Sequence, residues 1–104
     1  MARLVWHVEA VSDLDAVAEF IARDSTAQAS SFVARIVAAA ERLRDHPTLG
    51  RGVPELQDAS CRELIFQNYR IVYRIHDDRV TILGIIHEAM DMQRQVRDRS
   101  WDIT

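Results

Sequence analysis

Arg62, Arg70, Arg74 and His87 are the side chains of this sequence best placed to do chemistry. Arg70 and Arg74 fall in a stretch where Tyr69, Ile71, Tyr73 and Ile75 alternate with Arg70, Val72, Arg74 and His76. Period two over eight residues, with aromatic and β-branched side chains, predicts a half-buried strand. Both guanidinium groups therefore project from the same face. Arg62 belongs to a neighbouring strand and shares that face only if the register allows it. Such a row can stabilise developing negative charge, anchor a partner, or pair with Glu63 and the Asp77–Asp78 turn. Exposed ion pairs contribute only ~0–1 kcal/mol, so stability alone is a weak reason for them.

Other chemistries lack their residues. The four histidines, His7, His46, His76 and His87, have no metal-ligand spacing, and the single cysteine has no partner. No metal and no cofactor is expected. The glycine-rich phosphate loop, the GxSxG elbow and the HExxH helix are all missing. Cys61 has no base placed beside it by a motif and reads as a strand residue. His7, alone in a strand, reads as structural. The formal net charge is −3 and all 13 basic residues are arginine, so extended nucleic-acid binding is disfavoured. No apolar run approaches the ~20 residues of a membrane span, and a signal peptide's layout is absent. A lone cysteine fits a reducing cytoplasm.

The elements that must position these residues follow in order. A chain of 104 residues predicts one domain over residues 1–104 with a single modest core. Leu4–Val8 alternates as a first strand. Ser12 and Asp15 resemble a capping box, opening a helix with Leu14, Val17, Ala18 and Ile21 on its apolar face and ending near Asp24. Ser25 and Gln28 open a second helix to about Asp45, with the stripe Ala29, Phe32, Val33, Ile36, Ala40 and Leu43. The phenylalanines read as core. Pro47, Gly50, Gly52 and Pro54 predict an irregular connection in which Arg51 either serves function or caps the preceding carbonyls, the cap being favoured. Cys61–Phe66, Tyr69–His76 and Val80–Ile86 then form an antiparallel meander. Val80–Ile86 is apolar at odd and even positions alike and is expected to be covered on both faces. The fold class is α/β (α+β), in the order β-α-α-β-β-β. A helical hairpin packs on one face and the first strand joins an edge, with Tyr73, Ile75, Ile82 and Ile86 buried. Residues 88–104 form a tail that either folds back on the sheet or serves interaction, with Trp101 as its anchor.

Pro47–Arg51 (PTLGR), Val53–Leu56 (VPEL), Arg62–Leu64 (REL), Tyr69–Arg74 (YRIVYR) and Ile85–His87 (IIH), together with Asp13–Leu14 and Phe20–Ala22, resemble the RelE/ParE toxin superfamily. The resemblance runs from about Trp6 to His87 and implies the toxin of a type II toxin–antitoxin pair. RelE-type chemistry needs a group to activate a ribose 2′-hydroxyl, cations for the phosphorane and an acid for the leaving oxygen. Arg70 matches the strand arginine of those nucleases, with His87 the other catalytic candidate. Glu63 and Ile65 stand where strand lysines are expected, Met90 where a second arginine is, and Val96 where a tyrosine is. That eroded set resembles the ParE branch, which implies poisoning of DNA gyrase, a block to replication and plasmid stabilisation without catalysis. The alternative is a RelE-like ribosome-dependent mRNA endonuclease.

On the ParE reading, Arg62, Arg70, Arg74, His87 and Trp101 are target-binding candidates. Val17, Phe20, Phe32 and Arg51 are candidates for binding a cognate, ParD-like antitoxin. That partner is expected to contribute a segment that orders on binding. A catalytic Arg70 would cost ~10²–10³ in rate when removed, whereas a binding anchor would cost ~2 kcal/mol of affinity.

Overall fold

The alternation of Tyr69–His76 governs the architecture, because each of its faces nucleates a separate core. The computed structural model describes residues 1–101. The elements are β1 (Arg3–Trp6), α1 (Val8–Ala22), α2 (Thr26–Glu41), a 3-10 turn at Arg42–Arg44, β2 (Arg51–Gly52), β3 (Cys61–Phe66), β4 (Tyr69–His76), β5 (Arg79–His87) and α3 (Met92–Arg99). They build an α+β fold on a five-stranded sheet of order β1-β5-β4-β3-β2. Only the β1–β5 pairing is parallel. The tight connections sit where the turn residues predict them, with Gln67 and Asp77 at positive φ.

Ile71 and Tyr73 face the helical hairpin, packing with Ala10, Phe32, Ile36, Ala40 and Leu43 and with Val80, Ile82 and Ile85 of β5. Val72 faces the other way, into a second cluster with Val53, Leu56, Cys61, Leu83, Ile86, Met92, Val96 and Trp101. Both faces of β5 are thus covered, by the hairpin and by α3. The apolar run of β5 also hides a bulge. Val72 pairs with Gly84 but Tyr73 pairs with Ile82, so Leu83 is the extra residue and side-chain parity reverses across it. Of the four expected core residues, Tyr73, Ile82 and Ile86 are fully buried, while Ile75 is half-buried at the rim.

The tail folds back. Residues 102–104 of it lie outside the described residues, but Trp101 is buried, its carbonyl accepting from Arg74 Nη2 at 2.6 Å. Its indole lies over Gly84, where a Cβ would come within 2.7 Å of the ring. Trp101 is therefore a core residue and not an exposed target contact.

Four expectations need correction. The first helix begins at Val8, not at Ser12: β1 is a short edge strand, His7 N–H closes it on the Ile82 carbonyl (2.9 Å), and the His7 ring caps the helix through Glu9 N–H (3.1 Å). The second α-helix stops at Glu41 and tightens into the 3-10 turn, whereas its Ser25 cap stands as expected, accepting from Gln28 N–H at 3.1 Å. Phe20 is no core residue but 66% exposed, lining a surface groove with Val17, Tyr69 and Met90. The irregular connection contains β2, a fifth strand of two residues. Its approach requires Gly50, where a Cβ would meet the Glu63 carbonyl oxygen at 2.5 Å. The Tyr73 hydroxyl secures it, accepting from Gly50 N–H (2.9 Å) and donating to the Pro47 carbonyl (2.7 Å).

Gly84→Ala forces Trp101 off the sheet, since the new methyl overlaps two ring carbons. Overpacking of this kind costs about 1–3 kcal/mol. The expected result is a lower denaturation midpoint with a changed tryptophan emission; an unchanged midpoint would contradict the packing described.

Candidate functional site: an arginine–carboxylate ladder and an apolar groove

Glu63 on β3 is the point where three strands meet. Its side chain is fully buried on the α3 face of the sheet. Arg51 of β2 stands directly opposite in the register, and Arg51 Nε donates to Glu63 Oε2 at 2.9 Å. On the other side Val72 of β4 is the direct neighbour, which leaves Arg70 on the diagonal. Arg70 Nε donates to Glu63 Oε1 at 2.6 Å. The rest of the Arg70 fork is taken by Glu55 from the loop after β2, with Nη2 to Oε1 at 2.6 Å and Nη1 to Oε2 at 3.2 Å. Every nitrogen of the Arg70 guanidinium therefore donates to a carboxylate.

The electrostatics follow from this chain of contacts. The hydrogen bonds from Arg70 hold the Glu55 carboxyl below its ordinary range, against the opposing effect of burial. Burial alone would ease the proton off Arg70, but the bonds to Glu55 and Glu63 outweigh it and raise its pKa. Arg51, Glu55, Glu63 and Arg70 are two cations and two carboxylates, so the ladder is locally neutral.

Arg74, on the same face, is engaged by Trp101 and by Asp58 Oδ2 at 3.3 Å. Asp58 is held below the ordinary carboxylate range chiefly by Ser60, whose Oγ–H and N–H both donate to Oδ1. Burial pushes the Cys61 thiol up, consistent with a strand residue and not a nucleophile.

Arg62 does not join this row. It opposes Tyr73 in the register and so projects from the hairpin face, where Nη1 donates to the Gly50 carbonyl at 2.7 Å. The carbonyl-capping role expected of Arg51 thus falls to Arg62, while Arg51 is committed to Glu63. His87 lies at the far end of β5, its Nδ1 accepting from Ala89 N–H at 3.0 Å and its ring edge-on to Tyr69 with centroids 5.1 Å apart. The arginine row and His87 therefore do not converge on one reacting atom.

The candidate antitoxin contacts also divide. Phe32 is buried in the hairpin core, edge-on to Phe66 and Tyr69 at 5.7 and 5.4 Å, and is not presented to a partner. Arg51 belongs to the opposite face. Val17 and Phe20 do line a groove of about 430 Å³ with Tyr69, Ile85, His87 and Met90, to which Asp13 and Arg99 also contribute. Sequence reasoning missed Glu55 and Arg99 as partners. The VPEL segment hinted at the first. Nothing short of the tertiary fold links Arg99 to Asp13.

The ladder makes stability acid-sensitive. A carboxyl whose folded pKa is depressed contributes fully above its unfolded value, ~4.3 for Glu, and loses that contribution as the pH falls through the depressed folded value. Stability is expected to decline below about pH 4.3, and Glu55→Gln should lower it at pH 7 while flattening that acid limb. An acid limb of unchanged steepness in Glu55→Gln would contradict the assignment.

Comparison with known proteins agrees with this architecture. Residues 4–92 match the sequence model of the ParE toxin of the type II toxin–antitoxin system parDE. Toxin RelE2 of Caulobacter vibrioides is 36% identical over 90 residues, covering 86% of this chain and 98% of that protein. A solved chain of the chromosomal ParDE toxin–antitoxin system from P. aeruginosa superposes with a TM-score of 0.71 at 24% identity, covering 84% of this chain and 96% of that one, and so shares the fold. With 36% identity across nearly the whole of a named toxin and a family match over most of its length, the chain belongs to the ParE toxin family of the RelE/ParE superfamily.

Proposed function

We propose that this protein poisons DNA gyrase and blocks replication, acting by surface binding and not by cleaving RNA, in the cytoplasm and under the control of a cognate antitoxin. The observation that carries the choice of branch is the enclosure of Arg70. A nuclease of the RelE type needs preorganised cations aimed at the developing phosphorane. Here the one arginine that matches that role donates from all three nitrogens to Glu55 and Glu63. Freeing it would leave Glu63 charged, buried and short of a partner, a state that costs several kcal/mol. The neutral ladder offers no excess positive charge to an RNA phosphate. The separation of His87 from the arginine row supports the same reading.

An antitoxin partner follows from the family, and the exposed Phe20 and Met90, 66% and 47% accessible beside an apolar groove, supply a surface for it. The name of the Caulobacter relative points toward the RelE branch, so the assay must read both activities. Purified protein is expected to inhibit gyrase supercoiling and to leave a ribosome-programmed translation reaction and its mRNA intact. Stalled translation with cleaved message and unaffected gyrase would overturn the proposal.

A further inference from the structure

Two turns of the backbone are closed by a histidine ring in the same way. At the start of α1, Glu9 N–H donates to His7 Nδ1 at 3.1 Å. At the end of β5, Ala89 N–H donates to His87 Nδ1 at 3.0 Å. Each ring takes the amide two residues on, the role that an aspartate or asparagine oxygen plays in an Asx-turn. Glu9 lies too early in its helix for an intrahelical acceptor, and Ala89 lies outside helix and strand.

Both turns are places where the chain passes from the sheet to a covering helix. His7 is the N-cap of α1, and its own N–H is tied to the Ile82 carbonyl of β5 at 2.9 Å. His87 ends β5, and its carbonyl also accepts from Met90 N–H at 3.0 Å, just before Asp91 caps α3. The two rings therefore stand at the entry to α1 and at the entry to α3.

A ring that accepts at Nδ1 is neutral, with its proton on Nε2, whereas the imidazolium carries a proton on both nitrogens and can only donate. Protonation thus removes both acceptors, and at His7 it also sets a cation against the positive end of α1. The charged groups on the elements next to His7 are Arg3 of β1, Glu9 and Asp13 in the first turns of α1, and Arg99 of α3, which Asp13 already holds. β5 offers no titratable side chain between Val80 and Ile86. Around His87 stand Tyr69 of β4, whose phenol burial keeps neutral, Glu88 beside it in the chain, and the Asp13–Arg99 pair, which lines the same groove. Among the described residues only His76 is in an ion pair, with Asp77 at 3.7 Å.

We infer that His7 and His87 are a matched pair of acid-sensitive clasps: neutral imidazoles close the entries to α1 and α3, and protonation opens both. Histidines change charge between about pH 5 and 8, so the clasps are closed at the alkaline end of that window and are lost as the pH falls through it. This window lies above the one set by Glu55, which begins near about pH 4.3. The device acts on the two helical covers of β5 together, and it operates whatever the protein's target.

The test is chemical denaturation of the full chain at the two ends of that window, about pH 8 and about pH 5. Loss of one capping acceptor typically shifts a folding equilibrium about fivefold. The two together should lower the folded-to-unfolded ratio roughly 25-fold between those pH values. His7→Asn and His87→Asn each supply an acceptor that does not titrate, and the double variant should lose most of that fall, whatever its stability at the alkaline end. His76→Asn, which removes an ion pair that protonation favours, should not lessen the fall. Spectra of the wild-type protein need no variant: the Glu9 and Ala89 amide protons should shift in step with the His7 and His87 rings as the pH is lowered. A fall of the same size in the double variant, or Glu9 and Ala89 amides that do not follow the rings, would overturn the inference.

Discussion

Placing an ionised carboxylate inside a small domain is expensive, with a penalty of several kcal/mol that only close, well-hydrogen-bonded counter-charges offset. Glu63, with no exposed side-chain surface, meets that condition through Arg51 and Arg70. Much of the surrounding structure can be understood as meeting it. The two-residue β2 exists to bring Arg51 opposite Glu63. Gly50 permits that approach, and the Tyr73 hydroxyl fixes the loop that leads into it. Glu55, from the following loop, completes the Arg70 fork. The arginine that resembles a nuclease cation is in this way built into the framework, which supports the proposal of binding over catalysis.

The second organising feature is the treatment of the sheet's faces and edges. A sheet buried on both faces needs a cover for each, supplied by the hairpin on one side and by α3 together with Val53 and Leu56 of the loop after β2 on the other. α3 is short, and isolated helices of its length are marginal in water. It is held instead by burial of Met92 and Val96 and by contacts at its C-terminal end, through Trp101 over Gly84, Arg74 on the Trp101 carbonyl and Arg99 on Asp13. The Arg99 guanidinium also lies 5.3 Å from the Trp101 ring centroid. Hydrogen bonding to Asp13 raises the Arg99 pKa further, so the Arg99 guanidinium stays charged across the ordinary pH range.

How much of this was legible in the sequence divides along physical lines. The two faces of β4, the Ser25 cap and the Gln67 and Asp77 turns were readable because each depends on local spacing or turn chemistry. The partners of the arginines were not, because they depend on register. Glu63 meets Arg70 only on the diagonal, and a shift of one residue would send either side chain to the opposite face. Arg62 shows the same limit, since its strand was evident but its face was not. The cap at His7 was obscured by Ser12, a more conventional capping residue one turn further on. The parity reversal at Leu83 was invisible because every residue from Val80 to Ile86 except Thr81 and Gly84 is apolar.

Arg70 is bonded to Glu63, and the proposed binding role rests on its serving that carboxylate and not a phosphate. A thermodynamic double-mutant cycle on Glu63→Gln and Arg70→Gln, read by chemical denaturation, tests it most directly. Side chains in one buried network couple by about 0.5–3 kcal/mol, and the structure predicts a favourable coupling in the upper part of that range. Additivity within about 0.5 kcal/mol would mean that the two groups do not hold each other, and would return Arg70 to the set of free cations available for catalysis.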